Sequence, residues 1–255
     1  MQSGSVTLSL VSHGQAQLCV GLLQDLSVLA PASIHKLILT INLPEPLPAL
    51  DNLPFPVEVL HNPRPLGFAA NHNQAFTRAS SEIFAVLNPD LRMAVDPFPA
   101  LVTRLADIQV GVVAPVILEP DGHVADFARR LVSPWEVLRR RMASVEPDFG
   151  VDHPEWLAGV CLLLRSSTYA ALGGFDPRYT LYCEDADLCA RIRLRGLRLE
   201  VVREATVTHM AQRASHRSIR PLLLHVSSLF RFWASPVYGS YRLLLRNEHA
   251  RHGHH

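Results

Sequence analysis

WLAGVCLLLRSSTYAALGGFDPRYTLYCEDAD, residues 156–187, is the stretch on which the fold of this chain turns. Its apolar run at 158–164 reads as a buried strand. A short polar, helix-forming segment follows. Then come Gly173-Gly174 and a turn at Phe175-Asp176-Pro177. Glu184, Asp185 and Asp187 stand just beyond, among Tyr182, Cys183, Leu188 and Cys189. Carboxylates set among apolar side chains are unfavourable unless they meet a cation, a proton or a donor network. The row is therefore a candidate site for acid/base or metal chemistry. Asp187 leads into Leu188-Cys189-Ala190-Arg191-Ile192, a helix expected over 187–195, where the helix dipole favours a carboxylate. Glu184 and Asp185 are expected just before that helix, either facing a cleft or as capping, solvated residues.

Outward from this stretch, strands and helices alternate. A β-rich run at 6–12 breaks at His13-Gly14-Gln15, and 16–29 is an amphipathic helix. Apolar strands are expected at 35–42 and 57–60, separated by the proline-rich loop 43–56. A turn at 61–67 enters a helix at 68–80, and the buried strand 83–87 runs into Asn88-Pro89-Asp90. This pattern predicts an α/β fold, a largely parallel sheet covered by helices on both faces. Ligands bind beyond the carboxyl ends of strands in such sheets, where His13, Asn42, the 61–67 turn and Asp90 fall. Further on, a helix is expected at 97–106, a strand at 110–118, and a tight turn at Asp121-Gly122 with a hairpin after it. An arginine-rich segment at 127–147 reads as an acceptor-side or solvated face. Short strands are expected at 197–202 and 205–209. From 216 onward the chain reads as a helical extension carrying leucines and basic groups, ending in a disordered tail. The division expected is therefore 1–215 and 216–255.

Bulk properties narrow the function. The chain has 255 residues, enough for one good core. Its net charge of +1 does not suggest a nucleic-acid partner. Cys19, Cys161, Cys183 and Cys189 form no CxxC pair, which points to a reducing, cytoplasmic setting. No signal-peptide pattern is present at the N-terminus. No run approaches the roughly 18 apolar residues of a spanning helix.

Three further features carry chemistry. Asp90, past a strand end, could reach a divalent cation held by a diphosphate, where oxygen ligands suit Mg2+ or Mn2+. An Asx-turn or helix cap is the plainer alternative. His209 closes an apolar run at 205–208 and is either structural or part of a metal site. Gly67-Phe68 and Asn71–Asn73 sit where helix-start amides could meet a phosphate or a base.

Two blocks carry a resemblance. HNPRPLGFAANHNQAF (61–76) followed by IFAVLNPDLRM (83–93), and residues 156–196 followed by TVTHM (206–210), resemble the family 2 inverting glycosyltransferases of GT-A fold. The likeness spans roughly residues 5–210. It is similar most of all to bacterial rhamnosyltransferases of surface-polysaccharide synthesis. The resemblance implies a nucleotide-diphosphate sugar donor, with dTDP-rhamnose the favoured one, and a saccharide or lipid-linked saccharide acceptor. It implies Asp185 as general base, with Glu184 orienting the acceptor or holding the loop. Asp90 and His209 would hold the metal. Ser12, His13, Asn42, Gly67, Asn73 and Asn88 would lie on the donor side, and Trp156, Gly159 and Asp187 on the acceptor side. Some positions depart from the family pattern. His13-Gly14 stands where many members have Tyr-Asn, Asn42 where an aspartate is usual, and Pro65 where an asparagine is common. A catalytically inactive nucleotide-sugar-binding or scaffold protein is the alternative. A peripheral membrane contact through 217–246 and a homodimer are expectations of the same kind.

Overall fold

The computed structural model describes residues 4–131, 153–210 and 219–252. One eight-stranded sheet has the order β3-β2-β1-β4-β9-β6-β10-β5. Its first half is β3 (Val57–His61), β2 (Ile34–Ile41), β1 (Val6–Ser12) and β4 (Ile83–Leu87). These pair in parallel. β9 (Cys161–Arg165) runs antiparallel to both β4 and β6 (Val110–Leu118). β10 (Arg198–His209) lies parallel to β6, and the short β5 (Leu91–Arg92) closes the edge antiparallel to β10. A separate ribbon pairs β7 (Ala128–Arg129) with β8 (Trp156–Leu157).

The α/β architecture expected from the alternating pattern is present. β1 shows how it is held. Val6, Leu8 and Leu10 point one way, while Thr7 and Ser9 point the other, and all five are buried. Both faces of the strand are therefore covered. α1 (Ala16–Leu29) buries Cys19, Leu22, Leu23 and Leu26. α2 (Phe68–Phe76) receives the polar face of β1, where the Ser9 hydroxyl meets His72 Nδ1 at 2.8 Å. Burial pushes the His72 imidazole down to about 3, so it is neutral there. α3 (Phe98–Leu105) packs near β6 and β10, and α4 (Ser166–Leu172) near β9.

Several boundaries differ from expectation. α2 ends at Phe76 rather than 80, since the last carbonyls are closed by tight backbone bonds at Thr77, Arg78 and Ala79. The two short strands expected at 197–202 and 205–209 are one strand, β10, with a register shift between Val202 and Thr206. The helix expected at 187–195 begins earlier: α5 is Glu184–Leu194, so all three carboxylates lie in its first turn. Of the arginine-rich segment, Arg139, Arg140 and Arg141 lie outside the described residues.

The C-terminal helices α6 (Ile219–Trp233) and α7 (Pro236–His252) do not stand apart from the domain. Phe232, Tyr238, Tyr241 and Leu245 form a second apolar cluster with Tyr179, Cys183, Ala186 and Ala190. Arg193 of α5 donates to both carboxylate oxygens of Glu248 at 2.7 Å. The Tyr241 hydroxyl donates to the Glu155 carbonyl at 2.7 Å. Among the described residues no helix is long and apolar enough to cross a membrane.

Candidate active site

A cleft of about 750 Å³ opens at the carboxyl ends of β1, β2 and β4. His13, Asn42, Gly67, Asn88 and Asp90 line one part of it, and Trp156, Gly159, Glu184 and Asp185 the other. Residues far apart in sequence thus converge as expected for an open α/β sheet.

At the first end, polar groups bond one another, with Asn62 Oδ1 buried and left without a partner. Asn42 is buried, and its Oδ1 accepts the Leu66 amide at 2.8 Å and the Asn62 amide nitrogen at 2.8 Å. Its Nδ2 donates to the Leu66 carbonyl at 2.9 Å and to His13 Nδ1 at 2.7 Å. Asn62 Nδ2 also donates to Asn71 Oδ1 at 2.6 Å, and Asn71 Nδ2 to the carbonyls of Leu66 and Gly67. Both Asn42 protons are therefore engaged within the protein, while Asn42 lines the donor-side part of the cleft. Because a backbone N–H fixes which atom is Oδ1, Nδ2 must be the donor to His13. His13 Nδ1 is then an acceptor, so in the neutral ring the proton sits on Nε2. Gly67 is where α2 approaches the 180–183 turn. A Cβ there would come within 2.6 Å of the Thr180 carbonyl oxygen.

At the centre, Asp90 Oδ1 is buried without a well-aligned hydrogen bond, and His209 Nε2 stands 3.1 Å away. The antiparallel pairing of His209 with Leu91 sets this distance. Among the described residues no third His, Cys, Asp or Glu joins them as a metal-binding group. A buried carboxylate oxygen beside an imidazole nitrogen fits a divalent cation that takes its remaining ligands from a bound diphosphate and water.

At the far end, Glu184 and Asp185 are both buried. Asp185 Oδ2 accepts the Gly159 amide at 2.9 Å and Oδ1 the Ala186 amide at 2.8 Å. Glu184 Oε2 is buried with no hydrogen-bond partner. Burial pushes the Glu184 carboxyl up to about 8, and the neighbouring Asp185 charge adds to the effect. Burial raises Asp185 as well, opposed by the Gly159 and Ala186 amides, the Arg129 charge and the Trp156 indole. Two carboxylates this close cannot both ionise readily, and the backbone donors favour the charge on Asp185. Of the pair, Asp185 is thus the better placed to carry charge and Glu184 to hold a proton. Arg129 stacks over the Trp156 ring at 4.7 Å and pairs with Asp126 at 2.6 Å.

Three expected site residues face elsewhere. Ser12 is buried and its hydroxyl accepts the Gln15 amide at 3.3 Å, shaping the turn into α1. Asn73 ties α2 to the Gly173-Gly174 turn. Its Oδ1 accepts from the Tyr169 hydroxyl at 2.7 Å and the Phe175 amide at 2.9 Å, and its Nδ2 donates to the Phe175 carbonyl at 2.8 Å. Asp187 is buried against Arg191 at 2.7 Å, and Arg191 also donates to the carbonyls of Leu172 and Gly174. Ser12 and Asp187 are engaged by partners three and four positions away, and Asn73 by Tyr169 and Phe175 far along the chain. Conversely, Leu224 and His225 of α6 line the cleft. Nothing in the spacing of the C-terminal helix singled them out.

This sheet order, with a cleft holding Asp90 and a buried carboxylate pair at a helix start, defines the class of GT-A glycosyltransferase folds. Solved structures agree. The chain overlays the structure titled GalNAc-T7 with UDP, GalNAc and Mn2+ with a TM-score of 0.65 at 15% identity, covering 92% of this chain and 49% of that one. For the mannosyltransferase PcManGT from Pyrobaculum calidifontis in complex with GDP-Man and Mn2+, the TM-score is 0.59 at 16% identity, covering 89% and 64%. In sequence, residues 40–156 match the model described as Glycosyl transferase family 2. An N-acetylglucosaminyl-diphospho-decaprenol L-rhamnosyltransferase of Mycobacterium tuberculosis is 31% identical over 182 residues, 63% of this chain and 58% of that protein. Rhamnosyltransferase WbbL of Escherichia coli is 39% identical over 82 residues, 31% of each chain. Over residues 40–156 the chain is thus similar to glycosyl transferase family 2, and in sequence it is similar to rhamnosyltransferases. It spans less than two thirds of the length of these curated relatives.

Proposed function

We propose that this chain is a metal-dependent, inverting glycosyltransferase. It transfers a sugar, L-rhamnose by analogy with the relatives' names, from a nucleotide-diphosphate donor to a saccharide or lipid-linked saccharide acceptor in surface-polysaccharide synthesis. The observation that carries this proposal is the buried Glu184–Asp185 pair facing the same cleft as Asp90.

In this mechanism Asp185, ionised and aimed by two backbone amides, takes the proton from an acceptor hydroxyl as it attacks the anomeric carbon. Attack from the side opposite the nucleotide inverts the anomeric centre. Protonated Glu184 donates a hydrogen bond to the acceptor and leaves the negative charge of the pair on Asp185. Trp156 offers an apolar ring to the acceptor sugar, and Gly159 leaves room for it. Asp90 and His209 would hold Mg2+ or Mn2+, which supplies Lewis-acid stabilisation of the departing diphosphate when bound. On the donor side, Asn88 meets the sugar or ribose. His13 offers its Nε2 proton to a carbonyl of the base, with dTDP the favoured nucleotide. The lipid-linked character of such acceptors supports action at the inner face of the plasma membrane. The exposed Phe230 and Leu243 on the C-terminal helices support peripheral contact there. Homodimerisation belongs to the same proposal.

Thermal stabilisation by a panel of nucleotide diphosphates and nucleotide sugars, with and without Mn2+ or Mg2+, tests this directly. A metal-dependent rise with one nucleotide, followed by inverted product in a transfer assay, is expected. Metal-dependent binding without any transfer or donor hydrolysis would favour the inactive binding protein instead.

A further inference from the structure

The turn that delivers Glu184 and Asp185 is strained. Tyr182 and Cys183 both adopt left-handed backbone, with φ of 72° and 67°, and neither is glycine. Such residues persist only where their surroundings over-determine them. On the α2 side, the Phe68 amide donates to the Thr180 carbonyl at 3.0 Å. The other restraints come from the C-terminal helices. The Ser228 hydroxyl of α6, itself buried, donates to the Leu181 carbonyl at 2.8 Å. The His225 ring meets Tyr182 edge-on at 4.8 Å. Cys183 is buried in the cluster that includes Phe232, Tyr238 and Tyr241.

We infer that Ser228 is a positioning residue for the Glu184–Asp185 pair, locking the strained 181–183 turn through the Leu181 carbonyl and making α6 part of the catalytic unit. The inference rests on the proposed transferase activity but reaches beyond it. With Leu181 released, residues 182–183 are free to relax toward negative φ. The first turn of α5 then shifts, and the Gly159 amide no longer meets Asp185 at 2.9 Å. Donor-side groups sit on β1, β2 and β4 and stay in place. Relaxation also admits water to a pair now enclosed by Arg129 of β7, Trp156 of β8, His225 of α6 and its own neighbour Cys183. The Glu184 carboxyl, held up near 8 chiefly by burial, then falls toward the ordinary carboxylate range.

Ser228→Ala and Ser228→Thr separate positioning from packing. The readouts are kcat against donor KM, the pH profile of kcat, and the Glu184 side-chain titration followed by carbon NMR. For Ser228→Ala we expect kcat to fall by roughly 10- to 100-fold, donor KM to stay within about twofold, and Glu184 to titrate at lower pH. Ser228→Thr, which keeps the hydroxyl, restores all three. An unchanged Glu184 titration and pH profile in Ser228→Ala overturns the inference. So does a loss of activity that merely follows melting temperature and is not restored by threonine. If the wild-type protein transfers no sugar, the proposed function fails, and the Glu184 titration still decides the role of Ser228 on its own.

Discussion

The two ends of the cleft handle polar groups in opposite ways. Around Asn42, the polar side chains bond one another: His13, Asn42, Asn62 and Asn71 are joined to each other and to the backbone of Leu66 and Gly67. Around Glu184, a buried carboxyl oxygen has no partner, two carboxylates crowd each other, and the backbone leading to them is left-handed. The first end is knit by hydrogen bonds among its side chains and backbone, with Asn62 Oδ1 the unpartnered atom among them, an arrangement that suits recognition of one fixed ligand shape. The second end carries electrostatic and conformational strain, as a site that must change protonation state during a reaction is built to do. Such strain survives only because the second apolar cluster and α6 enclose it.

The largest effect that would break this contrast is on chemistry alone. Asp185→Asn should lower kcat by about 10²- to 10⁴-fold while leaving donor affinity nearly unchanged, measured by transfer rate and by calorimetric titration of the nucleotide. Normal turnover in this variant would remove the general-base assignment. Asp90→Ala should abolish the Mn2+-dependent part of nucleotide stabilisation. That part is worth up to about 2.7 kcal/mol when nucleotide is present at about 100 times its Kd. Persistent metal dependence in the melting curve would place the cation elsewhere.

At the first end the loss should appear as stability. Asn42→Asp keeps the shape but removes both N–H donors, leaving His13 Nδ1 and the Leu66 carbonyl without them. A loss of roughly 1–3 kcal/mol in urea unfolding is expected. An unchanged midpoint would mean that the network is not closed.

A further effect is a pH dependence with the opposite sign to an ordinary carboxylate. Glu184 has a folded-state pKa near 8, above its usual 4.5, so folding takes up a proton between those values. Its contribution to stability is complete below pH 4.5 and is lost as pH rises through about 8. Each pH unit in that window is worth at most about 1.4 kcal/mol. Glu184→Gln should therefore melt higher than wild type at pH 8, with the difference shrinking toward pH 5. Parallel melting curves across that range would show that Glu184 stays ionised.

Much of this site was legible in the sequence because its signals are local. The apolar runs of β1, β4 and β6 follow from composition over a few residues, and so does the turn at Gly173-Gly174. That Asp90 would face the cleft follows from strand–helix alternation, since a parallel sheet gathers its carboxyl ends on one edge, whereas the place of Glu184 and Asp185 beside it was implied by the resemblance. What stayed hidden depends on which neighbours each side chain meets in the fold. Asn73 and Asp187 have the residue type and spacing of site groups. Asn73 is held by Phe175 across 102 positions, and Asp187 by an arginine that also grips the Gly174 carbonyl. Asn42 falls at a strand end by its sequence position, but its bonds to His13, Asn62 and Leu66 show only in the fold. The C-terminal helix α6 reaches the cleft through Leu224 and His225 and the turn before α5 through Ser228. Local pattern determined which segments form and which carboxylates are costly to bury. Only tertiary packing decided which side chains are saturated and which remain free to act, because hydrogen-bond satisfaction belongs to the neighbours a group meets in space.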